Sequence, residues 1–142
     1  LRNVVQRAEE LARLAPENEE FMPAIGKQNY TPSDTYAPST AGISPEYRAK
    51  VAASSIAPSK ADNLIAAGFL IDGAGFIAFA NSNGNFGYQR TTDVNYTCTV
   101  RTEDGTGSGW VARNVEDVDK FDTDEAIQVA MAKANSLAIG LR

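Results

Sequence analysis

Eight consecutive residues, from Val94 to Arg101, alternate between apolar and polar side chains. One set is Val94, Tyr96, Cys98 and Val100, and the other is Asn95, Thr97, Thr99 and Arg101. A period of two residues is typical of a β-strand, because successive side chains point to opposite faces of a sheet. The pattern therefore predicts a strand with one face in the core and the other toward solvent or a partner.

Further strand-like runs lie on both sides of this strand. The predicted strands are residues 64–71, 75–81, 86–102 and 107–114, and the predicted turns are residues 72–75, Asn83-Gly84 and 103–106. Asn-Gly between two strand-like runs is a strong hairpin signal. We therefore expect a four-stranded antiparallel meander.

Two helical patterns precede the strands. Residues 1–15 repeat apolar side chains at spacings of three and four, and Pro16 stops that helix. A second helix starts at Ser44, whose hydroxyl is a suitable cap. We expect Pro58 to kink or end this helix, and Asn63 to take the left-handed conformation after it.

Residues 16–43, between the two helices, show no sustained period. We expect a long loop, pinned by Phe21, Tyr30 and Tyr36, that wraps another part of a parent protein. After the strands, Asp122 and Glu125 have the spacing of a helix capping box, and the helical pattern that follows reaches the last residues.

The expected fold is α+β, with two N-terminal helices joined by a long loop, a four-stranded antiparallel sheet and a C-terminal helix packed on the sheet. Residues 1–43 are the first helix and the wrapping segment, and residues 44–142 are an α-β-β-β-β-α unit. Because the chain starts at Leu1 and ends within a helical pattern, we expect a fragment of a longer protein.

Composition excludes several kinds of catalytic site. The 142 residues include no histidine, which excludes Ser-His-Asp and Cys-His catalysis and any zinc site built with imidazole. A net charge of −5 with scattered cations argues against nucleic acid. No apolar run approaches the roughly 20 residues of a membrane span. The single cysteine cannot form an internal disulfide, which fits a cytoplasmic protein.

The glycine-rich stretch DGTGSGW, residues 104–110, has two interpretations. A phosphate-binding loop needs a lysine after its glycines and then a helix, and this stretch has neither. The first interpretation is a hairpin turn followed by a strand that another backbone approaches closely at its glycines. The second is a peptide or partner contact made by Gly107, Ser108, Gly109 and Trp110.

Other candidate residues also leave alternatives. Cys98 is a buried inert thiol, or else a metal ligand or nucleophile. The acidic residues after the strands form a solvated loop with a helix cap, or else a calcium site without EF-hand spacing: Glu116, Asp117, Asp119, Asp122, Asp124 and Glu125. Arg90 marks a bulge or a polar contact, and Trp110 is a core aromatic or a binding platform.

Several stretches together resemble the TldD/PmbA family, once called modulators of DNA gyrase. They are ARLAPENEEF, AAGFLI, FANSNGNFGYQRTT, TVRTEDGTGSGWVARN and EAIQVAMAKANSLA. The chain is similar to the later part of the family's N-terminal domain, and its variants of GTGSGW and APENEEF look closer to the PmbA-like branch. Nothing in the sequence supports the DNA contact that the older name suggests.

The resemblance implies a metallopeptidase subunit that forms homo- or heterodimers and cuts unfolded peptides in an internal chamber, a role in proteolysis and peptide maturation. TldD-type subunits bind zinc through His-Glu-x-x-x-His, which this chain lacks. No catalytic, metal or cofactor residue can therefore be transferred to it, and any zinc of the parent complex is expected elsewhere.

We expect a non-catalytic domain that forms chamber wall and subunit contacts, inactive on its own. Peptide capture could use the edge of the predicted strand 107–114, since an extended substrate can add a strand. The alternative is a freestanding α+β interaction module without an enzymatic role. A third hypothesis, a hydrolase with paired carboxylates, lacks an opposing acid.

Overall fold

In the computed structural model, which describes residues 1–139, four α-helices accompany three strands. The elements are α1 (Arg2–Leu14), α2 (Pro38–Ala41), α3 (Pro45–Ala61), β1 (Leu64–Ala80), β2 (Phe86–Thr102), β3 (Ser108–Val115), one 3-10 turn (Val118–Lys120) and α4 (Thr123–Ile139). The strands form one antiparallel sheet in the order β1-β2-β3. The end of the predicted closing helix, residues 140–142, lies outside the described residues.

The α+β class is right, but the four-stranded prediction is wrong. The predicted turn at residues 72–75 lies inside β1, which pairs with β2 without interruption from Leu64 to Ala80. Arg48 of α3 donates to both carboxylate oxygens of Asp72 at 2.7 and 2.8 Å, and this ion pair stabilises an acid in mid-strand. The glycines at 73 and 75 lack the positive φ that a primed turn needs.

The helices also differ from the prediction in detail. A short helix, α2, lies inside the predicted loop. Ser44 caps α3 as expected, but Pro58 does not end it, and the helix continues to Ala61. Asn63 then has the predicted left-handed conformation, with φ of 56°. None of the described helices is long and apolar enough to cross a bilayer.

One face of the sheet carries the core, as the alternation in β2 predicted. Its buried residues come from the strands, from α3 and from α4: Val51, Leu64, Tyr96, Cys98, Val100, Val111, Ala126, Ile127, Ala130, Met131 and Ala134. We call this side the covered face. The Thr and Asn residues between the buried positions of β2 point to the opposite side, the open face.

Helix α4 lies directly on two glycines. A Cβ atom at Gly107 would overlap the carbonyl oxygen of Ala134, and one at Gly109 would overlap that of Ala130. The expected close approach of another backbone is thus made by the chain's own helix. Asp122 caps α4 by accepting from the Glu125 amide at 2.9 Å, as predicted.

Beyond the end of β3, the paired strands β1 and β2 continue as a two-stranded projection, residues 73–93, which we call the arm. Its tip is the predicted hairpin turn, with Gly84 at φ of 80°. Residues 24–37 of the long loop lie along the arm: Thr92 donates its amide to the Thr35 carbonyl at 2.9 Å, and Tyr30 packs edge-on against Phe79. The loop therefore wraps this chain's own hairpin.

We predict that Gly109→Ala lowers the free energy of unfolding by about 1–3 kcal/mol, because the new methyl group overlaps α4. Chemical denaturation followed by circular dichroism measures the change. The matched control is Gly75→Ala in β1, where a Cβ meets no atom within 4 Å, and its effect should stay within about 0.5 kcal/mol. Equal losses in both variants would contradict the close packing.

Candidate functional site

The structure divides the predicted contact residues between the two faces of the sheet. Gly107 and Gly109 are buried under α4, whereas Ser108 and Trp110 lie on the open face, where Trp110 is 57% exposed. The alternation of a strand already separates these two pairs. The four residues therefore cannot form one contact, and only Ser108 and Trp110 remain available to a partner.

The turn before β3 is the Asp-Gly hairpin turn of the first interpretation. Gly105 has φ of 73°, and Asp104 accepts from the amide and the hydroxyl of Thr106 at 3.1 and 2.8 Å. Hydrogen bonds from Thr102 and Thr106 lower the pKa of the Asp104 carboxyl. Since a strand follows this turn, no helix N-terminus points its amides into the loop.

The open face is the exposed side of the three-stranded part of the sheet. It is formed by Ile65, Ala67, Phe69 and Ile71 of β1, by Asn95, Thr97, Thr99 and Arg101 of β2, and by Ser108, Trp110, Ala112 and Asn114 of β3. None of these residues is buried. A central row of short polar side chains thus lies between an apolar row on β1 and Trp110 on β3.

Side chains occupy two main-chain carbonyls on the outer edge of β3. The Thr102 amide bonds to the Gly107 carbonyl, so the odd-numbered residues of β3 direct their main-chain groups toward β2. Because this direction alternates along a strand, the main-chain groups of Trp110 and Ala112 point away from β2. Lys133 donates to the Trp110 carbonyl at 2.9 Å, and Arg113 donates to the Ala112 carbonyl at 2.9 Å. A peptide strand added here would have to displace both side chains.

A groove of about 430 Å³ runs between α3 and β1, with Tyr96 and Cys98 in its lining. The hydroxyl of Ser55 donates to the Val51 carbonyl at 2.9 Å, so the Tyr96 hydroxyl donates to the Ser55 oxygen at 2.8 Å. Burial raises the pKa of Tyr96 to about 12. The Cys98 thiol in this lining is buried and donates to the Thr99 carbonyl at 3.9 Å, so the groove offers mainly shape and apolar surface.

Several carboxylates of the acidic loop have protein partners. Asp117 accepts from the hydroxyl of Ser39 at 2.6 Å, and this hydrogen bond lowers its pKa. Glu125 forms a bidentate ion pair with Arg113 of β3 at 2.7 and 2.9 Å. Within the described part of the chain, no three Cys, Asp or Glu side chains are grouped where they could share a metal ion.

Arg90 makes a polar contact in the arm. Its guanidinium lies 3.5 Å from the centroid of the Tyr36 ring, and its carbonyl accepts from the Thr35 hydroxyl at 2.9 Å. The register of β1 and β2 passes Arg90 without an extra residue, so it does not mark a bulge. The cation–π contact helps to hold the wrapping segment against the arm.

A family model described as the PmbA/TldA metallopeptidase central domain matches residues 42–139. The match includes α3, the whole sheet and α4. The description names a central domain, whereas the resemblance in the sequence implied the later part of an N-terminal domain. It does not separate a PmbA-like branch from a TldD-like one. No curated protein and no solved structure matches the chain.

We predict that ionisation of Tyr96 destabilises the fold at alkaline pH. Because burial raises its pKa from 10.0 to about 12, its contribution to stability is complete below pH 10 and is lost as the pH rises toward 12. Between these pH values the native chain should lose about 2 kcal/mol more than Tyr96→Phe, measured by urea denaturation. Identical pH profiles for the two proteins would contradict the assignment.

Proposed function

The chain belongs to the PmbA/TldD metallopeptidase family, and on this premise we propose that it is a non-catalytic domain of a peptidase subunit. Its open face forms part of the wall of a chamber that receives unfolded peptides, and its remaining exposed surfaces contact other subunits. The bond-cleaving chemistry belongs to another domain or to the partner subunit. Any zinc of the complex is bound there too.

The donor set of this chain supports a non-catalytic role. It has no histidine, its one thiol is buried in the core, and several of its carboxylates serve as a cap or as hydrogen-bond acceptors. Hydrolysis of a peptide bond needs an activated water or nucleophile close to a general base. We therefore assign this segment to binding and assembly.

The composition of the open face is the observation that carries the proposal. Its central row of Asn95, Thr97 and Thr99 offers short side chains that donate and accept hydrogen bonds, as a peptide main chain requires. On either side, Phe69 and Trp110 expose apolar surface to side chains of any sequence. Such a surface suits unfolded peptides, whose shared feature is an accessible main chain.

We predict that the intact chain binds an unstructured, fluorescently labelled peptide of about 20 residues, and that Trp110→Ala weakens this binding about tenfold, or roughly 1.4 kcal/mol. Fluorescence anisotropy measures the affinity. The control is Phe21→Ala, which removes an aromatic side chain that is 73% exposed in the loop and should leave binding unchanged.

Two results of this binding experiment would overturn the peptide role. One is equal affinity of the native chain and Trp110→Ala. The other is preferential binding of a folded protein over the unstructured peptide, which would support an interaction module instead.

We also predict that the purified chain cleaves no unfolded peptide and retains no stoichiometric zinc after dialysis. Mass spectrometry of the peptide and elemental analysis of the protein measure these properties. Equimolar zinc, or cleavage that survives repeated purification, would contradict the assignment of catalysis to another part of the complex.

A further inference from the structure

The outer edge of β1 has unpaired main-chain groups along its length. The Thr92 amide bonds to Thr35 and the Thr102 amide bonds to Gly107, so both point away from β1. Because main-chain groups alternate in direction along a strand, the odd-numbered residues of β2 are the ones that bond to β1. The register then directs the amide and carbonyl groups of the even-numbered residues of β1 outward. In the part of the chain that the structure describes, no other segment bonds to these groups over the 17 residues of the strand.

The other strand edges of the sheet are protected. Lys133 and Arg113 occupy carbonyls on the edge of β3. Where β2 extends past β3, residues 24–37 lie against it and accept from the Thr92 amide. This contrast makes the edge of β1 an exception that needs its own explanation.

β1 also lacks the features by which natural edges avoid pairing. It contains no lysine and no proline, and its only charge, Asp72, is neutralised by Arg48. From Gly73 to Gln89 the chain has no charged residue at all. Large apolar side chains are exposed along the strand: Ile65, Phe69, Ile71, Phe76, Ile77 and Phe79. A long, apolar, uncharged edge is the kind that associates with another strand.

We propose that β1 pairs antiparallel with β1 of a second copy of this chain across a twofold axis, which joins two sheets into one of six strands. Two identical edges related in this way are self-complementary, since each outward amide can meet an outward carbonyl. The second copy also matches the charge pattern, because neither strand brings an unpaired charge. This pairing specifies the subunit contact of the proposed function.

The groove between α3 and β1 gives room for the incoming strand. Small residues line it, including Ala52, Ala66 and Gly68. The even-numbered side chains of the second β1 would point toward the helices, as they do in the first. An exposed side chain such as Phe76 can therefore enter the groove, which couples strand pairing to the burial of apolar surface.

Proline on the two edges tests the pairing. In Ala74→Pro the lost amide points outward from β1, so the pairing of β1 with β2 inside the chain keeps its hydrogen bonds. The matched control, Ala112→Pro, removes an outward amide from the edge of β3. By analytical ultracentrifugation we expect a dimer for the native chain and for Ala112→Pro. For Ala74→Pro we expect the dissociation constant of the dimer to rise at least about tenfold.

Cysteine cross-linking gives a second measurement that does not depend on a disruptive variant. Ala67→Cys and Ile71→Cys each place one thiol on the open face, and Gly75→Cys and Phe79→Cys place one on the same side of β1 in the arm, while the native Cys98 is buried. In a twofold antiparallel pair, only residues near the axis meet their own copies. Intermolecular disulfides should therefore form strongly at one of these positions or, where the axis falls midway between two of them, when those two variants are mixed.

Three results would overturn the pairing. One is a native chain that is still monomeric at about 100 µM, the range of weak dimers. The others are a dimer whose dissociation constant does not change in Ala74→Pro, and equal cross-linking at all four positions. A monomer whose β1 amides become protected from hydrogen exchange only when an unstructured peptide is added would also overturn the pairing, since that result assigns the edge to substrate. Peptide binding that persists in any of these cases leaves the proposed function intact.

Discussion

The central constraint on this fold is that β2 has an apolar face and a polar face, and the helices cover only the apolar one. Tyr96, Cys98 and Val100 are buried against residues of α3 and α4, and Val94 is buried on the same face. Because burial of such side chains is the main favourable contribution to folding, the helices have to lie on this side. Within residues 1–139, the threonines and asparagine between them remain on a surface that no helix covers, and this surface is the candidate functional site.

The glycines of β3 serve the same constraint. At Gly107 and Gly109 the backbone of α4 approaches so closely that a methyl group would overlap it, which brings Ala130 and Ala134 into the core. The glycines of the stretch that looks most like a ligand-binding loop in the sequence therefore serve to pack β3 against α4. Trp110, which alternation places on the opposite face, is the residue of this stretch to which we assign peptide binding.

Much of the fold could be predicted because its signals are local. The alternation in β2, the Asn83-Gly84 turn, the cap at Asp122 and the left-handed Asn63 each depend on a few neighbouring residues. The predicted turn at residues 72–75 failed for the opposite reason. Asp-Gly and Ala-Gly favour a turn locally, but Asp72 is held in the strand by Arg48, which is distant in sequence.

The candidate site could be predicted only in part. Trp110 was predicted as one of four contact residues, and the alternation of the strand already places it on the face opposite to Gly107 and Gly109. The apolar row of β1 could not be placed beside it, because its position depends on the register of two strand pairs. The wrapping of the arm by residues 24–37 depends on polar contacts such as those of Asn85, which no periodicity reveals.

The structure combines a closed core on one side of the sheet with an open face on the other, and the proposed function assigns peptide binding to that open face. That combination fits a domain whose contribution to a family of metallopeptidases is to position chains and not to cleave them. In this proposal the covered face carries the core, and the open face and the edge of β1 make the contacts with peptide and subunit.

Hydroxyl-radical footprinting of the intact chain, with and without an unstructured peptide, tests the two-faced sheet most directly. In the isolated chain Trp110 and Phe69 should be oxidised readily, whereas Tyr96 and Met131 should be protected. The peptide should then protect Trp110 and Phe69 and leave the other two unchanged. Protection of Trp110 before any peptide is added, or strong oxidation of Met131, would contradict the account.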